Sequence, residues 1–228
     1  RMATVMQDLY ADRVARGAVD ALLAAGHNVR VLEPGPATSE TDGAFSYERQ
    51  PLPPAGWIRD SDLNTLRWNI YWSDVLDEVL AGFAPDLVLT QNRLAPASVA
   101  AAKRAGTTSA ILFHGYRPIT PTFFEDQDAL GCDRPGFWNV SWRHRLKWPL
   151  VSKTLELYRA AYANADLVVA NSAYVARVIE RFFGREAPVV HPIIDLAPPT
   201  AETGQQPDGP ILFVKPQRIK GAEVFLEV

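Results

Sequence analysis

The chain has 228 residues, 47% hydrophobic and 21% charged, with a formal net charge of −3. That length and apolar content suffice for a buried core in one large or two small domains. The acidity argues against nucleic acid as the main partner, and the single cysteine, Cys132, rules out a disulfide framework or a thiolate metal cluster. No apolar run approaches the about 20 residues that span a bilayer, and no signal-peptide pattern opens the chain, so a reducing, cytoplasmic setting is expected.

In chain order, a first strand is expected before or at residues 3–6, and over residues 7–25 a helix with Val14, Ala18, Val19, Leu22 and Leu23 on one face. Gly26 stops that helix and residues 29–32 form a strand, which makes half of a βαβ unit. Residues 34–56 hold five prolines and read as a long loop. From Leu63 the positions Leu66, Ile70, Leu76, Val79 and Leu80 return to helical spacing, with Ser61 or Asp62 available as N-cap. A buried strand (87–90), an alanine-rich helix (96–105) ended by Gly106 and a further strand (110–113) follow. This alternation predicts an α/β fold, a Rossmann-like parallel sheet flanked by helices.

Residues 116–150 break the rhythm with aromatic and basic side chains, among them Phe137, Trp138, Trp142, Arg143, Arg145, Lys147 and Trp148. Such a segment suits a membrane interface, with Trp and cations at headgroup level, or packs its tryptophans onto the sheet. Pro149 fits the first turn of a helix running to about Asn164. Residues 167–170 form a strand, and Ser172 caps a helix over 173–183 that Gly184 ends. A polar, proline-rich stretch over 196–209 is the best linker in the chain. A last apolar strand over 211–214 leads into a turn carrying Lys215, Arg218 and Lys220. Cations and free backbone N–H groups at a strand-to-helix turn stabilise phosphate oxyanions.

In open parallel sheets ligands bind beyond the carboxyl ends of the strands. Three such ends stand out: Gln91-Asn92, His114-Gly115-Tyr116 and Asn171-Ser172. Ser172 is explained by capping and Asn171 as a turn residue, so neither is read as catalytic. Gln91 and Asn92 are able to hydrogen-bond an acceptor hydroxyl or simply to fill a loop. His114 either projects at the functional edge or packs against a neighbouring loop. No G-x-G-x-x-G, HExxH, G-x-S-x-G or P-loop is present.

The stretch from Ala165 to Gly221, ADLVVANSAYVARVIERFFG through to GPILFVKPQRIKG, resembles the junction between the two domains of GT-B glycosyltransferases of family 4. There an AD-x-V-x-x-N-S-x-Y segment closes the first domain, and a strand followed by K-G opens the second; "AAGHNVRVL" also resembles the turn after that fold's first helix. The resemblance implies an amino-terminal, acceptor-side Rossmann-like domain over 1–195, a linker over 196–209, and over 210–228 the start of a truncated nucleotide-sugar-binding domain. It further implies retaining transfer of a hexosyl group from a nucleotide-diphosphate sugar to a glycan or lipid-linked acceptor, with no cofactor and no bound metal.

By the same resemblance His114 faces the reacting sugar as the catalytic residue. Tyr10, Gln91, Asn92 and Tyr116 contact the acceptor, and Lys215, Arg218, Lys220 and Gly221 hold the donor diphosphate. Lys220-Gly221 matches the family's K-G pair. Lys215 and Arg218 both stand near the place of its arginine, and Met6 to Tyr10 replaces its glycine-rich loop. Both ends of the chain read as cut, so the 228 residues alone are expected to be inactive. The competing readings are a non-catalytic glycan- or protein-binding αβ module, or half of a sugar-nucleotide epimerase.

Overall fold

The computed structural model describes residues 2–5, 13–53, 61–113, 137–139 and 142–191. The chain divides into two compact units, Arg1–Ile194 and Asp195–Val228, and every described residue belongs to the first. Its elements are β1 (Met2–Val5), α1 (Arg13–Ala24), β2 (Val29–Pro34), β3 (Thr38–Asp42), β4 (Phe45–Gln50), α2 (Ser61–Phe83) and β5 (Leu87–Gln91). After β5 come a 3-10 turn (Asn92–Leu94), α3 (Ala95–Ala105) and β6 (Thr108–Phe113). A second 3-10 turn (Phe137–Asn139), α4 (Trp142–Leu146), α5 (Trp148–Asn164), β7 (Leu167–Ala170) and α6 (Ala173–Phe183) complete the set.

The strands form one sheet in the order β3-β4-β2-β1-β5-β6-β7. Every neighbouring pair is parallel except β3 with β4. Side chains alternate across the pleat, so the register sorts the faces. Val29, Val31 and Tyr47 pack with Val19 of α1 on one side. Leu32 and Val88 pack with Trp72 and Leu76 of α2 and Ala97 and Ala101 of α3 on the other. On that same side Ile111 and Phe113 of β6 meet Tyr158 and Tyr162 of α5 and Ile179 of α6. The predicted parallel α/β sheet with helices on both faces is therefore what forms.

Several expected punctuation marks act as chemistry requires. Gly106 and Gly184 close α3 and α6 in the left-handed region, at φ +68° and +64°, where a Cβ would be strained. The Ser172 hydroxyl accepts from the Val175 amide at 3.3 Å and caps α6, and Pro149 lies in the first turn of α5.

Three expectations need correction. Residues 34–56 are not one long loop: 38–50 form the β3–β4 hairpin. Its turn has the Asp42-Gly43 pair, with Gly43 at φ +56°, and Phe45 and Tyr47 alternate inward beside Val29 and Val31. The prolines flank these two strands rather than interrupt them. Second, Ile70 is 72% exposed. In the first half of α2 the buried stripe runs through Thr65, Asn69 and Trp72, one residue out of phase with Leu66 and Ile70, whereas Leu76, Val79 and Leu80 are buried as expected. Third, Ser61 and Asp62 are the first helical residues of α2 rather than its cap.

The hairpin is fixed to β2 by charge. Glu33, buried, accepts from the Tyr47 hydroxyl and from Arg49 at 3.2 Å, and Arg30 pairs with Glu48 at 2.6 Å. Burial first, and then the bond to Glu33, push the Tyr47 phenol well above its ordinary value.

Candidate functional site

The chain leaves β1 through α1 to β2 on one side, and leaves β5 through α3 to β6 on the other. The two connections diverge at the carboxyl ends of β1 and β5, the place where open α/β sheets bind ligands. Val5 ends β1 opposite Thr90, and Gln91, the last residue of β5, stands opposite Leu112 of β6.

Gln91 is 2% exposed, and both its Oε1 and its Nε2 are buried without a hydrogen-bond partner. An amide so placed costs about 1–3 kcal/mol for each unmet group. A buried donor and acceptor side by side at a strand end match what a sugar hydroxyl offers in return. Thr90, one residue earlier, faces the α2–α3 side, and its hydroxyl is likewise buried without a partner.

The turn that follows is held from outside. Asn69 of α2, itself buried, donates from Nδ2 to the carbonyls of Thr65 and Arg93, both at 2.8 Å, and its Oδ1 accepts from the Ala97 amide at 2.8 Å. Leu94, the residue before α3, gives no side-chain cap, so Asn69 supplies the cap from another helix. Asn92 opens this clamped turn directly after Gln91.

Helix α2 leads into β5 and α5 leads into β7, so the amino ends of both helices lie at the same carboxyl edge. There the buried Asp62 carboxylate lies 3.9 Å from the Lys147 ammonium. The Arg93 guanidinium covers the Trp68 ring, 5.7 Å from its centre. The buried Tyr158 hydroxyl lies close enough to feel both charges. Burial raises its pKa most, Arg93 opposes the rise and Asp62 adds to it. A phenol so placed stays protonated, and its hydroxyl is buried without a hydrogen-bond partner.

Of the predicted site residues, Gln91 and Asn92 fall at this edge. Tyr10, His114, Tyr116, Lys215, Arg218, Lys220 and Gly221 lie outside the described residues, although His114 directly follows Phe113, the last residue of β6. Among the described residues no cluster of three or more His, Cys, Asp or Glu is arranged to hold a metal ion. Among the described residues no helix is long and apolar enough to cross a membrane. Sequence reasoning missed Asn69, Asp62, Arg93, Lys147 and Tyr158. For Asn69 a signal existed: it is an amide at a position in step with Trp72, Leu76 and Val79.

This sheet, with its switch at β1 and β5, is the Rossmann-like part of a GT-B fold. It is similar to sucrose-phosphate synthase from Thermosynechococcus elongatus (TM-score 0.55, 13% identity, covering 84% of this chain and 47% of that one). It is also similar to Phytolacca americana UGT2 complexed with UDP-2fluoro-glucose and pterostilbene (0.53, 12%, 86% and 55%). A third is Os79 from O. sativa in complex with UDP and deoxynivalenol-3-glucoside (0.52, 15%, 84% and 52%). The chain thus spans about half the length of these solved proteins. The sequence profile of Glycosyltransferase Family 4 matches residues 11–198, and the chain belongs to that family. A comparison with curated proteins finds none that matches it in sequence.

Proposed function

We propose that the protein carries the acceptor-side half of a retaining hexosyltransferase, which moves a sugar from a nucleotide-diphosphate donor to a glycan or lipid-linked acceptor. The observation that carries this reading is the Gln91 amide, buried and unpartnered at the switch point of a family 4 chain. Solved relatives complexed with UDP or a UDP-sugar support a nucleotide-sugar donor. Gln91 and Asn92 hydrogen-bond acceptor hydroxyls, with Tyr10 and Tyr116 as further acceptor contacts. His114, next after β6, attends the reacting sugar. Lys215 or Arg218, with Lys220 and Gly221, neutralises the diphosphate as it leaves, where fixed cations lower the barrier most. No cofactor or metal takes part in this scheme.

Residues 1–195 form the acceptor-side domain, 196–209 the linker and 210–228 the start of the donor-side domain in this proposal. The 228 residues by themselves transfer little or no sugar, because transfer requires both halves to hold the reactants in attack geometry.

The test is steady-state kinetics of the full-length protein with UDP-sugars and a panel of hydroxyl acceptors, comparing wild type with Gln91→Met. That substitution conserves volume and removes only the amide. A rise in acceptor KM of roughly tenfold, with donor KM unchanged, is expected for the loss of one or two hydrogen bonds. Equal acceptor KM in the two proteins removes Gln91 from the site. Failure of every nucleotide sugar to react with the full-length protein leaves the binding-module reading instead.

A further inference from the structure

The aromatic segment divides its side chains between two environments. Trp148 turns inward, packing on the cluster of Val151, Leu155 and Val178. Trp138, Trp142 and Leu146 turn outward, at 77%, 66% and 77% exposure. With Phe137 they place four of the large exposed apolar side chains within ten residues, whereas among the described residues Ile70 stands alone and Leu167 with Tyr174, and Val189 with Val190, come only in twos. Trp142 and Leu146 are four apart on α4 and so share one face. Scattered exposed apolar residues need no explanation, but a local concentration of them does.

The patch is built, not loose. Phe137 meets Trp138 edge-on with ring centres 4.9 Å apart, and meets the anchored Trp148 edge-on at 6.1 Å. The Arg145 guanidinium lies over both outer rings, 5.8 Å from Phe137 and 5.5 Å from Trp138, and donates to the Trp138 carbonyl at 3.2 Å. Cation and indoles are therefore presented as one surface. The charge of this stretch of sequence is opposite in sign to the net charge of the chain. Residues 134–155 contain Arg134, Arg143, Arg145, Lys147 and Lys153 and no carboxylate, in a chain whose net charge is −3. Within this stretch Lys147 faces Asp62 and Lys153 faces Glu156.

We propose that the surface formed by Phe137, Trp138, Trp142, Arg145 and Leu146 docks the protein onto an anionic lipid bilayer at headgroup level. An anionic bilayer supplies what this patch asks for in one place. Negative headgroups attract a cationic segment, and indole rings settle at the boundary between headgroup and acyl chain. An apolar face flanked by cations is the general form of interfacial binding. A protein partner would have to combine an apolar hollow with carboxylates around it. The patch lies by the amino end of α5, on the edge of the sheet that carries Gln91. Docking stands independently of the glycosyl-transfer reading, since it needs neither a donor nor turnover.

The experiment is co-sedimentation of the full-length protein with vesicles of phosphatidylcholine alone, and of phosphatidylcholine mixed equally with phosphatidylglycerol. Expected is binding to the anionic vesicles that weakens with added salt, and little binding to the neutral ones. The double variant Trp142→Ser/Leu146→Ser should lose about tenfold or more in partitioning, while Ile70→Ser, an equally exposed change elsewhere, partitions as wild type. Should the double variant unfold, Trp138→Ser takes its place and is read in the same way. Absence of binding to anionic vesicles overturns the proposal, as does a patch variant that binds like wild type. So does a lipid-free oligomer that the patch variant disperses, because the surface then belongs to a second copy of the chain.

Discussion

Replacing Asn69 by alanine should reveal how far the β5–α3 turn depends on one side chain. The change deletes the bonds from Nδ2 to the Arg93 carbonyl and from the Ala97 amide to Oδ1, both 2.8 Å. It leaves the Ala97 N–H buried at the start of a helix whose own cap residue, Leu94, cannot receive it. The third bond, to the Thr65 carbonyl, adds little, because that carbonyl already accepts an amide within α2. Two lost bonds, each with its partner left behind, amount to about 2–4 kcal/mol, a large part of a typical total stability of about 5–15 kcal/mol.

Urea unfolding should show a lower midpoint with an unchanged slope, since the surface exposed on unfolding hardly alters. Asn69→Asp keeps the acceptor for Ala97 but loses the donor, and should fall between wild type and alanine. A loss below about 1 kcal/mol for Asn69→Ala would refute the claim that α3 is capped from α2.

Gln91→Met should hold or raise stability, by up to about 1–2 kcal/mol, because it removes a buried amide that the fold leaves unpaired. Thermal unfolding of the variant checks this, and a clear loss of stability would mean that the amide is satisfied in the resting protein. Ser172→Ala should cost about 1 kcal/mol through the lost cap on α6, measured by the same denaturation series. The Ser109 amide and then its hydroxyl, at 2.8 and 2.9 Å, hold the Asp166 carboxyl below its ordinary value of 3.8. Its contribution is therefore present above that ordinary value and fades as the pH falls through the lower folded one. Asp166 is exposed, so solvent screening keeps the effect under about 1 kcal/mol. Melting temperatures of wild type and Asp166→Asn should differ slightly at neutral pH and converge in acid; a gap that widens in acid contradicts the assignment.

Much of the fold was legible because its signals are local. Ser172 and Gly184 bracket α6, and Pro149 and Asn164 bracket α5, since capping and stop chemistry act within a turn of the residue concerned. The hairpin was hidden by composition: a window over 34–56 is dense in proline, while the alternation of Phe45 and Tyr47 occupies only a few positions within it. In α2 the apolar pattern points to Ile70, but the helix turns about 100° per residue and the inward position at that level is Asn69. The edge that carries Gln91 was foreseeable from strand order. The unpaired state of its amide was not, because satisfaction depends on neighbours distant in sequence. Asp62 and Lys147 illustrate the same limit: they meet across 85 positions, as 147 minus 62 gives.

The outer strand of the hairpin has a bearing on how copies of the protein treat one another. All five residues of β3, Thr38–Asp42, are exposed, and two of them, Glu40 and Asp42, are acidic. If two molecules were to extend their sheets through this border, antiparallel and centred on Glu40, each Glu40 would confront its twin. Like charges directly opposed across strands repel, so a border that is open to hydrogen bonding is made unwelcoming by charge. On that side the molecule ends its sheet by a deterrent, and its solubility at high concentration should fall when Glu40 is neutralised.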